Sequence, residues 1–510
     1  MSRRFALNSI LGALAGISVT IGSFISGVLV AQALGVEGIG AVAYIIWLVQ
    51  ITAPIIDLGA ASTITRFVPE LTGQGNARQA DLLSRFIYRI LLASVAVTGC
   101  LFALIFHNEL LSKLIWEPLV ERGSGTGDSS HLWILIIAFV STQTLGAYTN
   151  GYFRGSQAFG LLARLAALSF ICQIAAVVAG AWLFGIEGAL AGYMIGQVIP
   201  ALASLRFLGG ASGLDRALLR RAGRYSAYAW AANVANAFVW SRIEIFFLGN
   251  SWGNEAVGIF SVALALTSLA FQGPMMLTTG ILPMLSEHRG REDLTMMKLA
   301  CGTGTRLLAL LVMPSCLGMA AVMPVILPMI YGADFAPAVP AAIVLVCAAA
   351  ISATTVVGTN FVLAMERNDF VFFSSLFGAV IVTLAGMFMI PVFGVMGAAV
   401  VRASIQIILV ICGAWFIVVR LRCPLPFAAL GRIALAAMLC AAAAAGCVAV
   451  IPSPVSLIVA IPVGMVSYLL ALRWLRAVPE SDIQMLSGLV DMTPAFVRLP
   501  TGNLLKLISG

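Results

Sequence analysis

The sequence is poor in charged residues, and this scarcity excludes most soluble proteins. Only 10% of its 510 residues are Asp, Glu, Lys or Arg, whereas ordinary globular chains carry about 25%. Hydrophobic residues make up 61% of the chain. The composition therefore indicates a polytopic membrane protein.

Motifs of common enzyme classes are missing as well. The three lysines, Lys113, Lys298 and Lys506, do not follow glycine, so the chain has no phosphate-binding loop of the ATPase type. The nine cysteines form no CxxC pair and fall in apolar runs or at their basic ends, which argues against a zinc site or a disulfide framework. His107 and His131 flank one longer loop without a carboxylate motif. We expect no enzymatic activity, no cofactor and no metal.

Apolar segments long enough to cross a bilayer occur about fourteen times, since about 20 residues suffice for one span. They lie near residues 6–33, 38–64, 85–107, 131–152, 161–184, 187–208, 225–250, 257–284, 303–330, 337–364, 369–390, 395–420, 429–451 and 455–475. The predicted fold is therefore an all-α membrane protein.

Basic residues exceed acidic ones, 29 against 21, but they are scattered in short loops and do not form a nucleic-acid surface. With a cytoplasmic N-terminus, all of them lie on the cytoplasmic side except Lys113, Arg122, Arg242 and Arg402. Because cytoplasmic loops are enriched in Lys and Arg, this distribution predicts an even number of spans with both termini inside.

A weak internal repeat relates the first six spans to the next six. Residues 184–199, FGIEGALAGYMIGQVI, match residues 393–408, FGVMGAAVVRASIQII, at an offset of 209. Thr149-Asn150 matches Thr359-Asn360 at 210, and the segment from Gly38 to Pro54 matches the one from Gly258 to Pro274 at 220. Such symmetry is typical of transporters that work by alternating access.

The repeat predicts two pseudo-symmetric six-helix lobes. We assign 1–208 to an N-lobe, 209–224 to a cytoplasmic linker, 225–420 to a C-lobe, 421–475 to two further spans and 476–510 to a cytoplasmic tail.

One stretch carries a family resemblance. Residues 34–71, LGVEGIGAVAYIIWLVQITAPIIDLGAASTITRFVPEL, resemble the second-helix signature of the polysaccharide transporter branch of the multidrug/oligosaccharidyl-lipid/polysaccharide exporter superfamily. Residues 241–266 resemble the junction of its seventh and eighth helices. The resemblance implies two lobes in a V and a flippase for lipid-linked oligosaccharides of O-antigen or exopolysaccharide synthesis.

It also implies a bacterial inner-membrane location, membrane lipids as surroundings and a polysaccharide polymerase as a partner. A lipid II flippase and a multidrug or cation antiporter of the same superfamily remain alternatives. The lipid II family pattern has arginine in the first helix, where this chain has only Ser and Thr.

The implied cargo carries a diphosphate, so fixed cations and polar side chains should line its path. Arg242 and Arg402 are the basic residues within predicted spans away from the cytoplasmic ends, and Arg66 and Arg154 lie at cytoplasmic helix ends. The polar residues of the first and seventh helices extend this set of substrate-binding candidates with Ser23, Asn233 and Asn236. Snorkelling, topology and hydrogen bonding between helices are the structural alternatives.

Two acids lie within predicted spans away from their ends, Asp57 and Glu244. Either could bind the proton or sodium ion of an antiporter. For Asp57 we favour a structural role, a hydrogen bond to backbone opened near Pro54 or Gly59.

Overall fold

The computed structural model describes residues 3–113, 132–210, 213–240, 242–276, 293–365, 367–451 and 453–477, together with residues 285, 289 and 479. Within these ranges the chain is helical and has no strand, which confirms the all-α prediction. Most of the predicted outer loop, 108–130, and of the predicted tail, 476–510, lies outside the described residues.

Thirteen helices of nine or more residues account for most of the described chain. They are α1 Arg3–Asp57, α2 Ala60–Gly73, α3 Ala77–His107, α4 Leu132–Gly155, α5 Phe159–Ala203, α6 Arg216–Trp240, α7 Glu244–Met276, α8 Leu294–Tyr331, α9 Val339–Ala353, α10 Val356–Ala364, α11 Asn368–Trp415, α12 Phe427–Val450 and α13 Ser456–Trp474.

Ten stretches of the described chain are long and apolar enough to cross a membrane. Three of them, in α1, α5 and α11, each join two predicted spans without an intervening loop. The polar helix α6 is not among the ten. The count of fourteen spans stays a prediction, and the chain is a multi-pass membrane protein.

Four helices turn sharply at a glycine with a left-handed backbone. Gly35 in α1 (φ 69°, ψ −167°) resembles Gly253 in α7 (φ 76°, ψ −171°). Gly185 in α5 (φ 60°, ψ −134°) resembles Gly394 in α11 (φ 55°, ψ −135°). Glycine populates positive φ without the steric cost that a Cβ imposes, so these corners need it. The pairing of Gly185 with Gly394 is the one that the repeat predicts.

The segments after Gly35 and Gly253 cross each other at backbone contact. A Cβ on Gly40 would overlap the Asn254 carbonyl oxygen, and a Cβ on Gly258 would overlap the Val36 carbonyl oxygen. Residues 36 and 254, like 40 and 258, differ by 218, as do the two corner glycines. The crossing therefore obeys an internal two-fold relation. The predicted match of Gly38 with Gly258 is wrong by two residues, because Gly40 is the counterpart of Gly258.

Contacts divide the chain into two compact units, residues 1–261 with 386–394 and residues 262–385 with 395–510. In the first unit, a buried core joins α2, α3 and α4 through Phe67, Leu83 and Tyr148. In the second, α8, α12 and α13 pack around Ala309, Ala437 and Tyr468, and Tyr468 donates a hydrogen bond to the Leu310 carbonyl at 2.9 Å. The lobe boundaries rest on the sequence repeat and stay a prediction.

Candidate functional site

The first apolar helix is broken at Leu58 and Gly59, where both residues have a left-handed backbone (φ 50° and 75°). Pro54 stays inside α1. A break leaves carbonyl oxygens without their helical donors, and in a membrane such groups need other partners.

Side chains from two neighbouring helices bind the carbonyl oxygens at this break. The Trp230 indole donates to Ile55 at 2.9 Å, Ser226 donates to Leu58 at 2.8 Å, and Ser94 of α3 donates to Ile56 at 2.8 Å. Ser226 and Trp230 are one turn apart on α6, so both project from the same face of that helix. Helix α6 therefore supplies hydrogen-bond donors to carbonyl oxygens that the break between α1 and α2 leaves without helical partners.

Asp57 lies at the same break and is buried, with 7% of its surface exposed. Its carboxylate accepts the Ala61 amide of the first turn of α2 at 3.2 Å. A carboxylate at a helix N-terminus satisfies an unpaired amide and interacts favourably with the helix dipole. This geometry supports the structural role, and ion coupling by Asp57 stays a prediction.

Beyond the break, α2 and α6 meet in a group of charged and aromatic side chains that we call the α2–α6 seam. It consists of Arg66, Phe67 and Glu70 of α2 with Arg221 and Tyr225 of α6. The Arg66 guanidinium lies 4.4 Å from the Tyr225 ring centroid and 5.5 Å from that of Phe67. Arg221 pairs with Glu70 at 2.6 Å and lies 5.2 Å from the Phe67 centroid.

The two arginines of the seam differ in their charge balance. Arg221 has a carboxylate partner, whereas no carboxylate in the described part of the chain lies within ion-pair distance of Arg66. Arg66 is exposed, and its guanidinium lies over the rings of Tyr225 and Phe67. Ring contact does not use the N–H donors of a guanidinium, so they stay available to an anion. Such a group can bind a phosphate through two parallel hydrogen bonds.

Of the other predicted substrate-binding residues, Asn233 also belongs to this interface, since it donates to the Ser62 hydroxyl at 3.0 Å. Asn236 lies three residues further along α6, and its side chain falls outside the described part. Arg154 is exposed in the last turn of α4, and Ser23 is exposed on α1.

Arg242 and Glu244 lie at a second interruption. The predicted span 225–250 is not continuous, because α6 ends at Trp240 and α7 begins at Glu244. Arg242 has a left-handed backbone (φ 60°) and Glu244 is 1% exposed. Arg402 is half-buried within α11, in the second unit. Roles in cargo binding for Arg242 and Arg402, and in ion coupling for Glu244, stay predictions.

Sequence reasoning missed Glu70, Arg221, Tyr225 and Trp230. A signal for Trp230 was present, because Ser226, Trp230 and Asn233 follow the i, i+4, i+7 spacing of one helix face. For Arg221 there was none, since four arginines crowd the start of α6 and the sequence does not distinguish among them.

Loss of the indole cap gives a direct check of the break. The Trp230→Phe variant keeps the ring but leaves the Ile55 carbonyl without its donor, so we expect a loss of about 1 kcal/mol of stability. Thermal unfolding in detergent should show a lower midpoint. Trp182 is 76% exposed, and Trp182→Phe should leave the midpoint unchanged. Equal midpoints for the two variants would contradict the capping role.

The chain belongs to the polysaccharide biosynthesis protein family, whose sequence profile matches residues 5–289. The match includes the helix break, the α2–α6 seam and three of the four glycine corners. Stage V sporulation protein B of Bacillus subtilis (strain 168) is 29% identical over 203 residues. That segment is 38% of this chain and 36% of the relative, so the match spans about a third of the relative's length.

Solved structures show the same fold at low identity. A lipid II flippase, MurJ, in an inward closed conformation superimposes with a TM-score of 0.70 at 14% identity, covering 91% of this chain and 98% of that one. An inward-facing multidrug resistance transporter of the MATE family in the MOP superfamily gives 0.56 at 15% identity, covering 81% and 96%. The predicted family resemblance is confirmed, and the chain has the fold of these membrane transporters.

Proposed function

We propose that the protein is a flippase that moves a lipid-linked oligosaccharide across the bacterial inner membrane by alternating access. The cargo has a sugar chain joined through a diphosphate to a polyprenyl lipid of the undecaprenyl type, as in O-antigen or exopolysaccharide synthesis. Both termini are cytoplasmic, and a polysaccharide polymerase uses the product on the outer side.

The proposal rests on the position and the charge of Arg66. A cation that no carboxylate of the described chain neutralises stands beside a broken helix, on ring faces that hold its guanidinium plane. Burying an unpaired charge is costly, whereas Arg66 is exposed and open to an anion. A diphosphate has the geometry and charge to bind such a planar fork.

The family and the fold support the transport step. The family is one of polysaccharide biosynthesis, and the fold is shared with transporters. The internal two-fold crossing at Gly40 and Gly258 is a further feature expected of a parallel repeat whose halves rock about a central site. Asp57 and Glu244 are the proposed ion-coupling acids, and Arg242, Arg402 and Arg154 are further proposed contacts of the cargo.

Reconstitution tests the proposal. Proteoliposomes containing a polyprenyl diphosphate with a fluorescent sugar should show flipping, measured as the fraction of dye that an added quencher cannot reach. Replacing Arg66 with glutamine should slow flipping at least about tenfold, since a charged hydrogen-bond pair to phosphate is lost. Arg78 is exposed in the first turn of α3, and Arg78→Gln is the matched control. Flipping no faster than in protein-free liposomes would exclude the proposed function.

Lipid II is the second candidate cargo, favoured by the superposition on nearly the whole of a lipid II flippase. It shares the polyprenyl diphosphate and differs in the sugar-peptide part. The same assay with labelled lipid II separates the two cargoes. Faster flipping of lipid II than of the lipid-linked oligosaccharide would reassign the cargo, and transport of an organic cation alone would indicate an antiporter.

A further inference from the structure

In the α2–α6 seam, Glu70 does not pair with the arginine of its own helix. Arg66 and Glu70 are four residues apart on α2, and side chains at that spacing are neighbours that commonly pair. In the structure Glu70 instead pairs with Arg221 of α6, across the interface. Glu70, the acid of α2 nearest to Arg66 in sequence, is therefore paired with another residue.

Phe67 is in contact with both arginines. The Arg66 and Arg221 guanidiniums lie 5.5 and 5.2 Å from its ring centroid, and Phe67 itself is buried, with 1% exposed. Tyr225, one turn after Arg221 on α6, meets Phe67 edge-on at 5.7 Å and covers Arg66. Helix α6 thus pairs with Glu70 through Arg221 and contacts Arg66 through Tyr225, one turn later.

We propose that Arg221 is a positioning residue: it holds Glu70 away from Arg66, so that Arg66 stays open to the diphosphate of the cargo. When α6 leaves the seam, Glu70 loses Arg221 and turns to Arg66, which displaces the anion. This inference rests on the proposed function and adds the means by which its cation is exposed and neutralised.

The ion pair that joins α2 and α6 in the seam lies at the surface of the protein. The Arg221 and Glu70 side chains are 51% and 26% exposed, and ion pairs in contact with water are easily exchanged. Among the α6 residues whose exposure the structure describes, only Ala222 is buried. The helix is held by single hydrogen bonds from Ser226, Trp230 and Asn233 and by the packing of Ala222, Leu218 and Tyr225 against the core of the first unit. Undocking α6 therefore breaks a surface ion pair and three hydrogen bonds, and among the described α6 residues it uncovers one fully buried side chain, that of Ala222.

The experiment compares single and double variants for binding of undecaprenyl diphosphate, without sugar, in phosphatidylcholine nanodiscs by native mass spectrometry. Arg66→Gln should weaken binding at least about tenfold. Arg221→Gln should weaken it about fivefold, because Glu70 then neutralises Arg66. The double variant Arg221→Gln/Glu70→Gln should bind within about twofold of the wild type, since the competing carboxylate is gone. Glu70→Gln alone should bind at least as well as the wild type.

Rescue by the second substitution distinguishes positioning from the other roles of Arg221. If Arg221 binds the diphosphate itself, the double variant stays as weak as Arg221→Gln, and the inference is overturned. The same result with a lower unfolding midpoint would show a purely structural pair, which also overturns it. Full-strength binding by Arg221→Gln has the same consequence.

Two further arms separate this inference from the proposed function and identify the anion. If Arg66→Gln binds as well as the wild type, the proposed cargo site itself fails. If Arg66→Gln binds weakly and the double variant shows no rescue, only the inference about Arg221 fails. Competition by phosphatidylglycerol as strong as by undecaprenyl diphosphate would assign the site to bilayer lipid and overturn its assignment to the cargo.

Discussion

Replacing Gly40 with alanine is expected to destabilise the protein by about 1–3 kcal/mol, the usual cost of overpacking a close contact. The added methyl group would overlap the Asn254 carbonyl oxygen and lie 2.9 Å from the Gly258 amide nitrogen. Backbone atoms cannot rotate away, so the two crossing segments must separate by roughly 1 Å or more to restore normal contact distances. Thermal unfolding in detergent and flipping in proteoliposomes should both show the loss.

The two-fold relation makes this prediction sharper. Gly258→Ala should cost about as much as Gly40→Ala, because it meets the equivalent carbonyl, that of Val36. One separation of the segments relieves both overlaps, so the double variant should cost less than the sum of the single ones. Gly27 on α1 has no atom within 4 Å of a built Cβ, and Gly27→Ala serves as the control. Additive losses would argue against a shared crossing.

The Gly59→Ala variant should have the other large effect. Alanine in the left-handed region costs about 1–2 kcal/mol, and its methyl group would also overlap the Ser226 carbonyl oxygen and lie 3.0 Å from the Trp230 amide nitrogen. We expect α6 to be pushed off the helix break, with loss of the Ser226 and Trp230 caps. A lower unfolding midpoint and faster proteolysis within α6 would show this.

Gly73 provides the matched comparison for Gly59. It ends α2, the same helix that Gly59 precedes, and a Cβ there meets nothing within 4 Å. Gly73→Ala should leave the midpoint unchanged. If Gly59→Ala is equally neutral, the close approach of α6 to the break is not present in the folded protein.

The architecture could be predicted because it depends on properties that the sequence states locally. Long apolar runs define spans, and recurring FG…G patterns at 184–199 and 393–408 revealed the repeat that the corners at Gly185 and Gly394 display. The predicted match of Gly38 with Gly258 is two residues out of register with the first pair of corners. Glycine is frequent there, and only the backbone angles distinguish Gly35 and Gly253 from their glycine-rich surroundings.

The break illustrates where local signals mislead. Pro54 and Gly59 both suggested an interruption, but Pro54 remains helical and the left-handed residues are Leu58 and Gly59. Membrane helices tolerate proline when neighbours satisfy the freed backbone groups. A leucine with positive φ has no sequence signal, because the surrounding fold enforces it.

The candidate site was only partly predictable for a related reason. Arg66 could be proposed from its residue type and position, whereas its lack of a carboxylate partner depends on Arg221, which is distant in sequence. Spacing alone would have paired Arg66 with Glu70. The interruption at Arg242 was likewise not visible, since hydrophobicity does not report the backbone angles of a single residue.

At each glycine corner one helical segment follows the other without a loop, so an added residue cannot be absorbed there. A residue inserted between Gly35 and Gly40 would rotate the following segment by about 100°, since a helix has 3.6 residues per turn. Gly40 would then point away from the crossing. Epitope tags and loop extensions should therefore be poorly tolerated at all four corners, and each bent helix should enter the membrane as one hairpin.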